Sequence, residues 1–207
     1  MATEAELQNL RVRADSILRT QACNSIHFRV DNVTINSYMT GYIGHAILKD
    51  RVHLTVDSDH TNNYDHRNDT INFYSLNEPS WAIVHESIHA VIDATHGGKT
   101  VTVGTGEAVA YIAETVYALN AGLTSHTIDD HRTMSTAYRI AKQIRAYNAS
   151  GATGVYTVPQ GEVDAMKAAL MGSNLRQDFT QGFVQNGIYE GPKRGIIGMM
   201  YLEDRKK

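Results

Sequence analysis

The chain has 207 residues, of which 42% are hydrophobic and 20% are charged, and its one cysteine is Cys23. This length suffices for one sizeable core and predicts a single domain spanning residues 1–207. The net charge of −3 argues against binding to nucleic acid or to an anionic membrane. A lone cysteine excludes an intramolecular disulfide, and we interpret Cys23 as a buried apolar residue.

The first predicted element is a helix that begins at a capping box. Thr3 and Glu6 have the required spacing, and apolar residues then recur on one face from Leu7 to Ile17. The N-terminus does not resemble a signal peptide, and no apolar run approaches the ~18 residues of a membrane span. We therefore expect no membrane contact. The protein is expected to be cytoplasmic, to be exported without a classical signal peptide, or to be a domain of a longer chain.

A β-rich stretch is predicted after this helix. Alternating apolar residues indicate three strands, and segments 33–37 and 42–48 are candidates for further strands. The alternating residues are Ile26, Phe28 and Val30, then Val52, Leu54 and Val56, and last Ile71 and Phe73. The polar run at 57–69 lacks the spacing of a calcium-binding loop, so we interpret it as a connection between strands.

The next predicted helix carries the most informative motif of the chain. Cap-type residues and a proline at 77–80 favour its start, and Gly97-Gly98 favours its end. His85 and His89 are four residues apart and therefore lie on one face, where both imidazoles can bind one Zn²⁺. Glu86 between them can polarise a metal-bound water. Two satisfied core histidines around a chance glutamate are the less favoured interpretation, because burying them without a partner is costly.

A third metal ligand is expected from the following helix. Glycines break the chain, and a helical stretch with an apolar side then begins with Glu107 in its first turn. Two histidines, one carboxylate and an open fourth position are the arrangement of a catalytic zinc site. Glu107 is the favoured third ligand, and Glu114, His96 and Asp93 stay open as alternatives.

The motif from His85 to His89, followed by Glu107, resembles the zincin metallopeptidases, in particular the gluzincin branch typified by thermolysin. The resemblance covers about residues 66–118. It implies one Zn²⁺ per chain, bound by the two histidines and Glu107, with Glu86 as the catalytic general base.

The resemblance also implies a role for the segment that precedes the motif, and it has one departure. Segment 69–74 corresponds to an edge strand that lines the substrate cleft in zincins. Tyr111 stands where thermolysin has an aspartate that orients a ligand histidine. Asp93, one turn beyond His89, is a candidate for that orienting role, and a solvent-exposed position on the helix is the alternative.

The chain after Glu107 is predicted to be mostly helical. Helices are expected over 130–149 and 160–171, and the apolar segment 195–202 is expected to pack on the core. The predicted fold is therefore α+β and zincin-like. A β-rich N-terminal lobe and a helical C-terminal lobe would flank the active-site helix, with the cleft between the lobes.

The functional expectation is a zinc-dependent metallopeptidase acting on a peptide or protein substrate. Glu86 would take a proton from water and pass it to the leaving amine. The oxyanion would need a further donor, for which the sequence offers several candidates. These candidates are His126, His131, Tyr138, Tyr147 and Tyr156. The alternatives are a zinc-dependent hydrolase of a non-peptide or cell-wall amide and a non-catalytic zincin-fold binding module. The sequence leaves the oligomeric state open.

Overall fold

A computed structural model describes residues 2–58, 62–96, 101–128 and 130–172. Within these ranges the chain forms seven helices and six short strands. The elements in chain order are α1 (Glu4–Leu18), α2 (Gln21–Asn24), β1 (Phe28–Val30), β2 (Val33–Ile35), α3 (Met39–Leu48), β3 (His53–Val56), β4 (Asn63–Asp65), β5 (Thr70–Phe73), α4 (Ser80–His96), α5 (Val103–Ala121), α6 (His131–Ala149), β6 (Tyr156–Thr157) and α7 (Gln160–Gly172). No helix in the described ranges has both the length and the apolar character needed to cross a membrane.

Helix α1 confirms the predicted capping box. The Thr3 hydroxyl accepts a hydrogen bond from the Glu6 amide at 3.3 Å, and the Thr3 amide donates to the Glu6 carboxylate at 2.8 Å. Leu10 and Ala14 are buried, whereas the outer members of the predicted apolar face are only half-buried. The predicted burial of Cys23 on α2 is also confirmed, and this burial raises the pKa of its thiol to about 12.

The α+β class is confirmed, and the predicted division into a β-rich N-terminal half and a helical C-terminal half holds only in part. One sheet has the strand order β2-β1-β6, and β6 comes from the C-terminal half of the chain. The N-terminal half holds helices α1 and α3 as well as strands. Helices and strands are therefore interleaved up to β5, whereas from α4 to α7 every described element except β6 is a helix.

Segment 42–48, a predicted strand, lies inside helix α3. Its buried apolar residues Ile43, Ala46 and Ile47 follow the spacing of a helix, so the period of burial is 3.6 rather than 2. Helix α3 packs closely on α1 at Gly44. A Cβ there would lie 3.0 Å from the Asp15 carboxylate and 3.2 Å from the Leu18 Cβ, so a larger residue would push the two helices apart by a few tenths of an ångström.

The second sheet has the strand order β3-β5-β4, which corrects the predicted edge position of segment 69–74. Strand β5 pairs with β3 in parallel and with β4 in antiparallel, so it is the central strand. The polar run at 57–69 predicts only a connection between strands, so the sequence gives no sign of a further strand beside segment 69–74. Residues Asn63–Asp65 of this run instead turn back and pair with Asn72–Thr70, which places β4 at the margin.

Helices α4 and α5 form the centre of the molecule. They pack against each other, and α5 also packs on α6 and α7, while α1, α3 and β4 pack on α4. Every residue from Ala82 to Ala94 of α4 is buried, so this helix has no solvent-facing stripe over that length. The predicted helices 130–149 and 160–171 are confirmed as α6 and α7. Gly97-Gly98 and segment 195–202 lie outside the described residues.

Candidate metal centre

The helix predicted to carry the histidine pair is confirmed as α4, and it presents both imidazoles on one face. The Nε2 atoms of His85 and His89 lie 3.3 Å apart, and the ring centroids are 5.1 Å apart. Both residues are buried, with exposed fractions of 8% and 4%. Two imidazole nitrogens at this distance cannot both present lone pairs without a proton or a cation to share.

Helix α5 supplies the carboxylate, although it begins earlier than predicted. The Thr102 side chain caps the helix by accepting from the Thr105 amide, and the helix starts at Val103. Glu107 therefore lies in the second turn rather than the first, and Gly104 and Gly106 are helical residues instead of chain breaks.

Glu107 faces both histidines. Its Oε2 atom lies 3.5 Å from His85 Nε2, and its Oε1 atom lies 3.4 Å from His89 Nε2. Tetrahedral zinc with bonds of about 2.0–2.1 Å has neighbouring ligand atoms separated by about 3.3 Å. The separation of the two Nε2 atoms matches that edge length, and each Nε2 atom lies about as far from one of the two Glu107 oxygens. Oε2 of Glu107 is also buried without a hydrogen-bond partner, and a bound cation would satisfy this oxygen.

His85, His89 and Glu107 are thus close enough to hold one metal ion, and all three are buried. Two neutral imidazoles and one carboxylate are a donor set that several divalent metals accept. The arrangement fits a metal ion, and the identity of the metal is a separate question.

The alternative third ligands have other partners. Glu114 Oε2 lies 2.8 Å from Nδ1 of His85, the ring nitrogen remote from the metal-facing Nε2. Asp93 Oδ2 accepts a hydrogen bond from the Tyr64 hydroxyl at 2.9 Å. His96 contacts the Thr95 hydroxyl and the backbone carbonyl of Asn32. Among these candidates, Glu107 is the residue that the structure brings to both histidines.

The residue that orients a ligand histidine is Glu114, whereas Asp93 was the predicted candidate. A carboxylate only accepts, so the Glu114 contact places the His85 proton on Nδ1 and leaves Nε2 free to bind a metal. The Tyr111 ring packs edge-on against His85 with centroids 4.6 Å apart. The seven-residue spacing of Glu107 and Glu114 is about two helical turns and returns to the same face, so it predicts Glu114 near the site as an alternative ligand but not its contact with His85 Nδ1.

The five predicted oxyanion donors are distributed over several places. His126 lies behind Glu114 and is 2% exposed, with the Tyr138 hydroxyl 3.5 Å from its Nδ1 atom. His131 and Tyr138 border a surface cavity along α6. The Tyr156 hydroxyl donates to Gln143 at 2.8 Å, and the Tyr147 ring packs against Tyr156.

Burial and neighbouring charges set the protonation states of the ligands. Burial lowers the pKa of His89 to about 4, which leaves this imidazole neutral at pH 7. Burial raises the pKa of Glu107, but the nearby histidines outweigh it and hold this pKa below its ordinary value. Burial also opposes a charge on His85, yet Glu107 and Glu114 raise the pKa of His85 above its ordinary value. A proton on His85 would therefore compete with a metal ion.

Glu86 is buried beside these ligands and has an exposed fraction of 5%. Burial raises the pKa of Glu86 to about 8; His85 opposes this rise, and Glu107, Glu114 and Glu78 add to it. A divalent cation at the ligand atoms would favour the carboxylate form and lower this pKa. The position therefore suits a group that exchanges a proton near neutral pH.

No family model, curated protein or solved structure matches this chain. The chemistry of the site is accordingly the basis for its function.

Proposed function

We propose that the protein is a zinc-dependent metallopeptidase of the zincin type. His85, His89 and Glu107 would bind the zinc, and Glu86 would be the general base. The observation that carries the proposal is the buried group of His85, His89 and Glu107, whose Nε2 atoms lie 3.3 Å apart and 3.5 and 3.4 Å from Oε2 and Oε1 of Glu107, respectively. These separations are close to the ligand spacing of about 3.3 Å in one tetrahedral zinc site.

The chemical identity of the ligands and their number favour zinc over other metals. Two imidazoles with one carboxylate are a common set in catalytic zinc sites, and three protein ligands leave the fourth position for water or substrate. When bound, Zn²⁺ lowers the pKa of its water towards ~7 and polarises a carbonyl group as a Lewis acid. The side chain of His85 retains 10% exposure, so the ligand cluster is not sealed from solvent.

Glu86 has the position and the environment of a general base. It follows His85 directly and lies three residues before His89, so its side chain is next to that of His89 on the helix surface. Its carboxylate would accept a proton from the attacking water and donate it to the leaving amine as the peptide bond breaks. The dry surroundings that raise its pKa make the carboxylate a stronger base towards the proton of water.

Strand β4, rather than segment 69–74, would line the substrate cleft. It forms the margin of its sheet and packs on α4, the helix that carries the histidines. An extended peptide added along such a margin would be held by backbone hydrogen bonds, with selectivity coming from pockets near the zinc. Peptides and proteins are accordingly the proposed substrate class.

The test is hydrolysis of casein and of a peptide library by the wild-type protein and by Glu86→Gln. The variant should retain its zinc and lose activity by a factor of roughly 10² or more, because glutamine cannot take the proton. A chelator should abolish the wild-type activity. Glu162→Gln is the matched control, since it makes the same chemical change at an ion pair with Arg139 on α6.

Two outcomes would overturn the proposal in different ways. Wild-type rates in Glu86→Gln would exclude this residue as the base. A wild-type protein that binds zinc but cleaves no peptide would favour a hydrolase of non-peptide amides or a binding module that retained the site.

A further inference from the structure

We infer that His126 is a positioning residue of the metal centre and acts on His85 through Glu114. This inference rests on the metal site proposed above. His126 comes from the segment between α5 and α6, far along the chain from the histidine pair. Two consecutive contacts join it to His85, and a third set of contacts holds its own ring.

The first contact fixes the ligand ring. Glu114 Oε2 lies 2.8 Å from His85 Nδ1, and both groups are buried. Since the carboxylate accepts, this contact selects the tautomer of His85 with an unprotonated Nε2 atom. It also sets the rotation of the imidazole, on which the direction of the metal-binding lone pair depends.

The second contact fixes Glu114 itself. Its other oxygen, Oε1, lies 3.1 Å from Nε2 of His126, and the two side chains are 1% and 0% exposed. A carboxylate buried to this extent is costly unless hydrogen bonds satisfy both oxygens. His126 supplies the donor for Oε1. Without that donor Glu114 would lose the contact that holds its carboxylate in the plane required by His85.

The third set of contacts fixes His126. The Trp81 ring of α4 meets it edge-on with centroids 5.5 Å apart, and the Tyr138 ring of α6 lies on another side at 5.7 Å. The Tyr138 hydroxyl is 3.5 Å from Nδ1, the nitrogen that is an acceptor when Nε2 carries the proton. The ring is therefore held by two helices, and its Nε2–H points at Glu114.

The experiment measures metal binding by the full chain, using Zn²⁺ and the spectroscopic probe Co²⁺. Zinc affinity is measured by competition with a chromophoric chelator, and the visible absorption of bound Co²⁺ reports its coordination geometry. His126→Leu removes the donor. His126→Gln carries an amide nitrogen close to the position of Nε2, whereas the amide of His126→Asn reaches only the position of Nδ1.

We expect His126→Leu and His126→Asn to weaken zinc binding by roughly tenfold and to change the Co²⁺ spectrum, as loss of an outer-shell partner does. His126→Gln should restore both towards the wild-type values. Ile144→Ala is the matched control, because it truncates a fully buried residue of α6. This control should lower the melting temperature and leave zinc affinity and the Co²⁺ spectrum unchanged.

Wild-type zinc affinity and an unchanged Co²⁺ spectrum in His126→Leu would overturn the inference. If His126→Leu does not fold, the pair His126→Gln and His126→Asn decides, and equal behaviour of the two variants would contradict the proposed role. A wild-type protein that binds neither metal would refute the metal centre itself, which is a distinct result.

Discussion

Helix α4 takes part in two acidic clusters that differ in how their charges are balanced. In the histidine cluster, which consists of His85, His89, Glu107 and Glu114, the carboxylates face imidazole nitrogens. The tyrosine cluster consists of Tyr64, Asp69 and Asp93, and Asp93 lies one turn beyond His89. In this cluster the carboxylates of Asp93 and Asp69 both lie within hydrogen-bond distance of the Tyr64 hydroxyl, at 2.9 and 3.0 Å.

The two arrangements of charge suit different occupants. The histidine cluster offers three ligand atoms within reach of one another, which suits a metal ion. The tyrosine hydroxyl has one proton and can donate it to only one of its two carboxylates. The other contact requires a further proton, so the tyrosine cluster suits a proton rather than a metal. Asp93 Oδ1 is moreover buried without a hydrogen-bond partner, and burial raises the pKa of Asp93 to about 7.

The largest expected effect is the loss of metal when the histidine cluster is broken. Glu107→Ala removes the carboxylate that faces both histidines, and the zinc content should fall from about one per chain to a small fraction of that value. Asp93→Ala is the matched control, because it removes a buried carboxylate from the same helix as the histidines. Elemental analysis after dialysis is the measurement. Full retention of zinc in Glu107→Ala, or equal loss in both variants, would remove the distinction between the clusters.

A smaller effect is expected in the pH dependence of stability. The pKa of Asp93 is raised from 3.8 in the unfolded chain to about 7 in the folded protein. The folded state therefore binds this proton more tightly, and the resulting stability is fully present below pH 4 and is lost as the pH rises through 7. Asp93→Asn removes this dependence. Its free energy of unfolding relative to that of the wild-type protein should therefore be higher at pH 8 than at pH 5, by about 1–2 kcal/mol.

The measurement is urea unfolding of the wild-type protein and of Asp93→Asn at pH 5 and pH 8, with a chelator present in every sample. Glu86 also has a raised pKa and contributes a dependence of the same sign to both proteins. The difference between the two proteins cancels that contribution. An identical change with pH in both would show that Asp93 is not the group that titrates.

The smallest expected effect is that of the tyrosine hydroxyl. Tyr64→Phe deletes the donor shared by the two aspartates and should lower the free energy of unfolding by about 1 kcal/mol. Zinc content should stay at the wild-type level, because the Tyr64 hydroxyl contacts Asp93 and Asp69 and none of the three proposed metal ligands. Loss of zinc from this variant would show that the two clusters are coupled through the helix.

The sequence predicted those features that depend on neighbouring residues along the chain. The capping box at Thr3 and the helix around His85 and His89 are determined by spacings of three and four residues, and both are present. Helix α5 was predicted, but its start was not, because the buried Gly106 was interpreted as a break although the Thr102 cap precedes it.

Features that depend on distant residues could not be predicted in the same way. The central position of β5 follows from pairing with β3 and β4, and strand order has no local signal. The contact of Glu114 with His126 depends on the return of the chain after α5, which no periodicity indicates. The misassigned segment 42–48 is short and apolar, so its period was ambiguous until its packing on α1 was known.

We propose that one zinc ion is bound by His85, His89 and Glu107. The most direct test is anomalous diffraction at the zinc edge from crystals of the full chain grown with one equivalent of Zn²⁺. We expect one strong peak within about 2.0–2.2 Å of Nε2 of both histidines and of a Glu107 oxygen. A peak bound to Glu114 instead of Glu107, or no peak at the histidine pair, would contradict this proposal.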